Sequence, residues 1–250
     1  MILNQRSWFA LSAALGLLAC CPAWAADPTA TGVSMAPTKA AFVTHFVKPT
    51  AVDCAQVLPA PPAPGTLAGR ADLEAVLQAQ AWRTPEQIAW AKRVDKNDAF
   101  LFGDIIGAWF TRENLPKTTV LMRAVDEDRH EVTEVAKKLF ARARPWVVDP
   151  RVTPCVGKPS NDSYPSGHTA SLFARAGVLA EIFPEKRTAL FDFAHRAAWG
   201  RVHGGVHFPS DLVGGWMIAE AFIVELRKNP DFLAEVTACR AEVAPFVKRE

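Results

Sequence analysis

The sequence predicts an all-α fold: a single-domain helical bundle preceded by an extended, proline-rich N-terminal arm. Three observations carry this expectation. From Ala71 onward apolar residues recur at helical spacing, as in Leu73, Val76 and Leu77 and again in Ile88, Trp90 and Ala91. Alternating apolar and polar runs, the mark of half-buried strands, are scarce. The segment Pro59-Ala60-Pro61-Pro62-Ala63-Pro64-Gly65 is too dense in proline for a helix or a central strand.

In chain order, residues 1–25 stand apart. Arg6 is their one charged side chain, Trp8 to Cys20 is an almost unbroken apolar run, and Ala23-Trp24-Ala25 offers a small-x-small cleavage site. This pattern is that of a secretory signal peptide, which places the mature chain in a periplasmic or secreted location. Leu17-Leu18-Ala19-Cys20 also resembles a lipoprotein box with Cys20 as the lipid carrier, but cleavage after Ala25 would discard Cys20, so the two readings exclude each other. Residues 26–70 form the arm, and residues 71–250 the helical body. Within the body, helices are expected over 71–81, 85–95, 97–110, 116–124, 129–143, 165–183, 186–199, 209–228 and 230–240. Thr84-Pro85-Glu86 supplies one start signal. The stretch from Leu212 to Leu226 comes nearest to a membrane span, but Glu220 and Glu225 interrupt it, so it is expected in the core and not in a bilayer.

Cleavage after Ala25 leaves enough chain for one core. The formal charge of +2 falls to +1 once Arg6 is removed, so no global field draws the protein to nucleic acid or to an anionic membrane. Export leaves Cys54, Cys155 and Cys239. Two of them can pair in an oxidising compartment, and spacing does not choose which.

Local charge and imidazole are concentrated in three stretches. Lys137 and Arg144 are seven residues apart, so on one helix they would leave the same face about 10 Å apart along the axis, with Pro145 ending the helix after Arg144. Pro165-Ser166-Gly167-His168 precedes the apolar series Leu172, Phe173, Ala176, Leu179 and Ile182. With Pro165 at the first helical position, this start would aim the backbone N–H groups at Ser166 and Gly167 outward as a seat for an anion, with His168 at its lip. In the third stretch, Arg201 and His207 flank the Gly204-Gly205 loop. Asp211 then falls in the first turn of a helix opened by Pro209, close enough to bond one nitrogen of His207 and leave the other free to attack. Three cations, two histidines and one carboxylate suit phosphoryl transfer, which needs charge stabilisation, an in-line nucleophile and an acid for the leaving oxygen.

The order Lys-x6-Arg-Pro, Pro-Ser-Gly-His and Arg-x5-His-x3-Asp resembles the signature of the type 2 phosphatidic acid phosphatase superfamily, which includes acid phosphatases, membrane lipid phosphatases and vanadium haloperoxidases. Over residues 58–235 the chain looks most like the bacterial class A non-specific acid phosphatases. That resemblance implies an acid phosphatase acting on small-molecule phosphomonoesters such as nucleotides, sugar phosphates or aryl phosphates. His207 would be the nucleophile that forms a phosphohistidine, Asp211 its orienting partner and His168 the acid and later base. Lys137, Arg144, Ser166, Gly167 and Arg201 would bind the phosphate. The resemblance implies no metal and no cofactor. It leaves open transfer of phosphate to alcohols and assembly into a homo-oligomer. One departure is Gly200, where the family has Ser before the motif arginine, so a hydroxyl bond to phosphate or to a neighbouring group is in doubt. His203 is an added ionisable group. The competing readings are a vanadium-dependent haloperoxidase with His207 as axial ligand and a non-catalytic phosphate-binding module. Trp109, Phe140, Trp146 and Tyr164 are candidate walls for a leaving-group pocket.

Overall fold

The computed structural model describes residues 44–248; the expected signal peptide, Cys20 and the first part of the arm lie outside the described residues. Within them the regular structure is helical: α1 (Cys54–Val57), α2 (Leu67–Trp82), α3 (Pro85–Asp95), α4 (Gly103–Ile106), α5 (Pro116–Phe140), α6 (Pro145–Val148), α7 (Gly167–Ile182), α8 (Arg187–His203), α9 (Pro209–Leu226) and α10 (Pro230–Val247). No described helix is long and apolar enough to cross a membrane.

The architecture is organised around α7, whose residues from Leu172 to Ala180 are buried on every side. A helix that is apolar all round has to be surrounded, and α5, α8, α9 and α10 pack against it. The close approach of α9 depends on glycine. A Cβ at Gly215 would lie 2.5 Å from the Ser166 carbonyl oxygen, and one at Gly214 would lie 2.4 Å from the Tyr164 ring. These two missing side chains let the start of α9 press against the turn that precedes α7, which brings the second and third motifs together.

Several boundaries differ from the sequence expectation, each for a tertiary reason. The helices expected separately over 116–124 and 129–143 are one, because α5 passes straight through Asp126-Glu127-Asp128. Asp128 accepts the backbone N–H groups of His45, Phe46 and Val47 at 3.0, 2.6 and 2.8 Å, and Asp126 accepts from Ser171 Oγ at 2.7 Å and from Arg175 Nε at 2.8 Å. Satisfied in this way, the carboxylates do not compete with the helix. The helix expected over 97–110 is reduced to a 3-10 turn, Ala99–Phe102, and the single turn α4, closed by Gly107 at φ 142°. Helix α8 runs on through Gly200 to His203, and α10 continues past residue 240 through Pro245. The arm expected to run to residue 70 is already helical from Leu67, where the Thr66 side chain caps α2, and Val47, Val52, Cys54 and Leu58 are part of the buried core. All three described cysteines are free thiols, so none of the pairings left open among them is formed.

Candidate active site

Helix α5 delivers Lys137 on its last turn and then stops, because Ala141 adopts the left-handed conformation (φ 45°) that ends helices. Arg144 therefore does not share a helical face with Lys137. It sits beyond the helix end in extended backbone (ψ 155°), as the residue before a proline must, and Pro145 opens α6 where it was expected to close the preceding helix. The two cations still converge. Lys137 donates to the Asp162 carbonyl at 2.5 Å, and Arg144 donates Nε to the Asn161 carbonyl at 2.9 Å and Nη2 to Asn161 Oδ1 at 2.8 Å.

At the second motif, Pro165 lies outside the helix, two residues before the first helical position it was expected to hold. Ser166 is the N-cap, its side chain accepting from the Thr169 N–H at 3.3 Å. The Ser166 N–H is itself donated to the Asp211 carbonyl at 2.9 Å, so it binds the third motif to the second and is not turned to an anion. Gly167 holds the first helical position, whose N–H has no acceptor within the helix. His168 donates Nε2–H to the Asp95 carbonyl at 3.1 Å, since a carbonyl can only accept, which leaves Nδ1 for other partners.

The third motif has the arrangement its spacing implies. Pro209 is the first residue of α9, and Asp211, two residues on, turns its carboxylate back to accept the Phe208 N–H at 2.9 Å. The same carboxylate meets His207 Nδ1 at 3.1 Å and Ser163 Oγ at 2.6 Å, while its other oxygen takes Arg142 Nη1 at 2.6 Å. Arg142 in turn pairs with Asp72 Oδ2 at 2.7 Å and lies 4.0 Å over the Phe208 ring. An arginine has no lone pair to offer, so the 2.8 Å contact of Arg144 Nη1 with His207 Nε2 requires Nε2 to be the unprotonated nitrogen. Asp211 and Arg144 thus fix the His207 tautomer from both sides.

Lys137, Arg144, Gly167, His168 and His207 line one cavity of about 270 Å³, together with Asn97, Arg129, His130, Thr133, Glu134, Pro159 and Asn161. Arg201 is wholly buried, donates Nη1 to Asp95 Oδ1 at 2.5 Å and has no partner for Nε or Nη2. Its charge acts on both histidines. Burial and neighbouring cations together lower the titration of His207, His168, Lys137 and Arg144. Burial, then Arg144, Lys137, Arg201 and His168, holds His207 well below the usual histidine range. Burial and then Arg201 hold His168 down to about 3. Burial and Arg144 bring Lys137 down to about 7, and burial brings Arg144 to about 10. An incoming anion opposes the charge contribution to each of these shifts.

Sequence reasoning passed over Asp95, Arg129, Arg142, Asn161 and Ser163. Arg129, Thr133 and Lys137 do recur at intervals of four, the one signal that a continuous α5 would have exposed. The missing Gly200 side chain would point to Trp90 and Val94, with nearest atoms at 3.5 Å, and not into the cavity, so the doubt it raised about a phosphate contact does not apply. His203 belongs to a separate 770 Å³ groove with Trp90, Phe193, Trp199 and others, where its Nδ1 is buried without a partner. The four expected aromatic walls lie elsewhere: Trp109 stacks on Phe246, Phe140 packs edge-on against Tyr164, and Trp146 lies under the Arg144 guanidinium. Among the described residues no three His, Cys, Asp or Glu side chains are grouped to hold a metal ion.

A cationic cavity lined by His130, His168 and His207, the last backed by a carboxylate, has the groups that phosphoryl transfer calls for on a helical scaffold. The PAP2 superfamily signature matches residues 129–232. The chain is 30% identical to a non-specific acid phosphatase of Salmonella typhi, covering 82% of this chain and 86% of that protein. It is 28% identical to one from Providencia stuartii, over 79% of this chain and 84% of its relative. The chain belongs to the PAP2 superfamily and is a phosphatase of its non-specific acid phosphatase group. Its fold is also that of a bacterial vanadium-dependent iodoperoxidase, with a TM-score of 0.54 at 19% identity, covering 77% of this chain and 59% of that enzyme.

Proposed function

We propose that the protein is an exported acid phosphatase that hydrolyses small phosphomonoesters through a phosphohistidine on His207, without a metal ion. The observation that carries this reading is the opposed clamping of His207, with Nδ1–H held by Asp211 at 3.1 Å and the Nε2 lone pair beside Arg144 in a cavity that also contains His168. In the first step Nε2 attacks phosphorus, the bond to the ester oxygen breaks, and that oxygen leaves with a proton from His168. Lys137, Arg144, Arg201 and the Gly167 N–H would balance the equatorial oxygens. In the second step His168 takes a proton from water, which displaces His207 and releases phosphate. An alcohol in place of water would give phosphotransfer by the same route.

His168 has to be charged for the first step although burial and Arg201 hold it near 3. The bound dianion supplies the missing stabilisation, so substrate arms the acid on arrival and turnover belongs to acidic solution. The test is release of p-nitrophenol from its phosphate across pH 4–8, with and without EDTA. Activity peaking below neutrality and surviving the chelator is expected; loss in EDTA would place the enzyme in a metal-assisted class. Orthovanadate, which imitates the pentacoordinate transition state, should inhibit below millimolar concentration. Export rests on the residue 1–25 pattern, and a mature N-terminus at Ala26 by mass measurement would establish it.

A further inference from the structure

The cavity contains one more cation than a single transferred phosphoryl group accounts for. Arg129 lines it, is 6% exposed, and uses its donors poorly. Its Nε is buried without a partner. Its Nη1 reaches the Gly167 carbonyl and its Nη2 the Asp126 carboxylate only at 3.5 Å, the outer limit of a hydrogen bond. Asp126 is the natural counter-ion, but it is already engaged by both the Nε and Nη2 of Arg175 and by Ser171 Oγ. Two buried guanidinium groups thus share one carboxylate, and Arg129 is the one left short. A buried, under-bonded guanidinium facing a cavity is unfavourable unless a ligand completes it.

Its position indicates which ligand. Arg129 lies two turns before Lys137 on the same face of α5, and long helical side chains lean toward the N-terminus, so Lys137 reaches back toward Arg129. Gly167 lies between them, its carbonyl 3.5 Å from Arg129 Nη1 and its would-be Cβ 3.9 Å from Lys137 Cε. The Arg129 charge is also among those that act on His168, the group assigned to the leaving oxygen. The unfilled donors therefore stand on the leaving-group side.

We infer that Arg129 forms a second anion subsite beside the transferred phosphoryl group, which makes diphosphates, cleaved at their terminal phosphorus, preferred ligands over simple monoesters. This inference rests on the assignment of His207 as nucleophile and His168 as acid. The terminal phosphorus bonds to His207 Nε2 as its bond to the bridging oxygen breaks. The electron pair departs with that oxygen on the second phosphoryl group, held by Arg129 and protonated by His168. Water then cleaves the phosphohistidine, so that one diphosphate and one water give two phosphates, or a phosphate and a monoester.

The test compares methylenediphosphonate, which cannot be cleaved at its bridge, with methylphosphonate by titration calorimetry on the purified protein in metal-free buffer. The bisphosphonate should bind at least about tenfold more tightly, as a charge-assisted fork on a second anion warrants. Arg129→Gln should reduce that preference to below about threefold, and Arg129→Lys, which keeps the charge without the fork, should fall between. Equal affinity for the two ligands in the unaltered protein overturns the subsite, whether or not the glutamine variant folds. A preference that survives both substitutions overturns it as well. The underlying phosphatase reading fails separately, by absence of p-nitrophenol release, because calorimetry requires no turnover.

Discussion

His207 and His168 face the same cavity, but the structure holds them in different ways. His207 is bound by side chains: the Asp211 carboxylate at Nδ1 and the Arg144 guanidinium at Nε2, with Arg142 and Asp72 continuing the charge network behind them. His168 is bound by a backbone carbonyl, that of Asp95, whose carboxylate is paired with Arg201, so no carboxylate bonds the ring itself. A carboxylate partner stabilises the positive charge a histidine gains when it becomes bonded to phosphorus, which suits a nucleophile. A carbonyl partner leaves the second histidine uncharged until an anion arrives, which suits an acid that should act only on bound substrate.

The largest effect that could break this contrast is at the nucleophile. His207→Ala should lower kcat by at least about 10⁴-fold and abolish transfer of labelled phosphate to the protein, measured by acid-quenched trapping. Retained labelling would move the nucleophile elsewhere. Asp211→Asn should lower kcat by about 10²–10⁴-fold, because the amide can present its NH₂ to His207 Nδ1 and favour the wrong tautomer. It should also lower the melting temperature, since the same carboxylate ties Arg142, Ser163 and the start of α9 together. If Asp211→Asn lost stability but kept its kcat, the carboxylate would be a cap and no more.

His168→Gln sharpens the comparison from the other side, because an acid matters in proportion to how poor the leaving group is. Alkyl phosphates should lose about 10²–10⁴-fold in kcat/KM, and p-nitrophenyl phosphate much less. An equal loss for both would make His168 a binding group. A still smaller signal tests the arming of His168 directly. Sulfate is a tetrahedral dianion that does not itself titrate near pH 5, where Lys137, with its pKa of about 7, is already charged. The His168 pKa is depressed to about 3, so the ring is neutral at pH 5, and an anion that raises it through that pH draws a proton from solution. Calorimetry of sulfate binding in buffers of different ionisation enthalpy should show uptake approaching one proton, absent in His168→Gln. No uptake in the parent protein would mean that the anion leaves the acid unarmed.

How much of this was legible depended on the range of the interaction. The His207–Asp211 pair is four residues apart at the start of a helix marked by Pro209, so local chemistry dictates it and spacing was enough to find it. The helical character of the body followed from apolar periodicity in the same way. What escaped was set across the fold. Arg142 meets Asp72 and Arg201 meets Asp95 over separations of 70 and 106 residues, which no pattern in one chain announces. The gap left between the helices expected over 116–124 and 129–143 has the same origin: the partners of Asp126 and Asp128 come from α7 and the N-terminal segment, far away in sequence.

Gly200 gives the smallest and most local of these tests. Along α8, residue 201 gives its guanidinium to Asp95 and its charge acts on both histidines, while residue 200 turns its bare Cα to Trp90, so neighbouring positions on one helix serve the site and the packing respectively. A Cβ at 200 would meet Trp90 Cδ1 and Val94 Cγ2 at 3.5 Å, ordinary van der Waals contact that requires nothing to move. Glycine in a helix interior costs roughly 0.5–1 kcal/mol relative to alanine, so relief of that cost should outweigh the packing change. Gly200→Ala should therefore raise the unfolding free energy by up to about 1 kcal/mol, and Gly200→Ser by less. Both should leave kcat/KM for p-nitrophenyl phosphate within about twofold, measured by denaturant titration alongside steady-state kinetics. A serine variant with tenfold tighter phosphate binding would show that the hydroxyl reaches the anion after all, and would place position 200 with Arg201 on the side of the site.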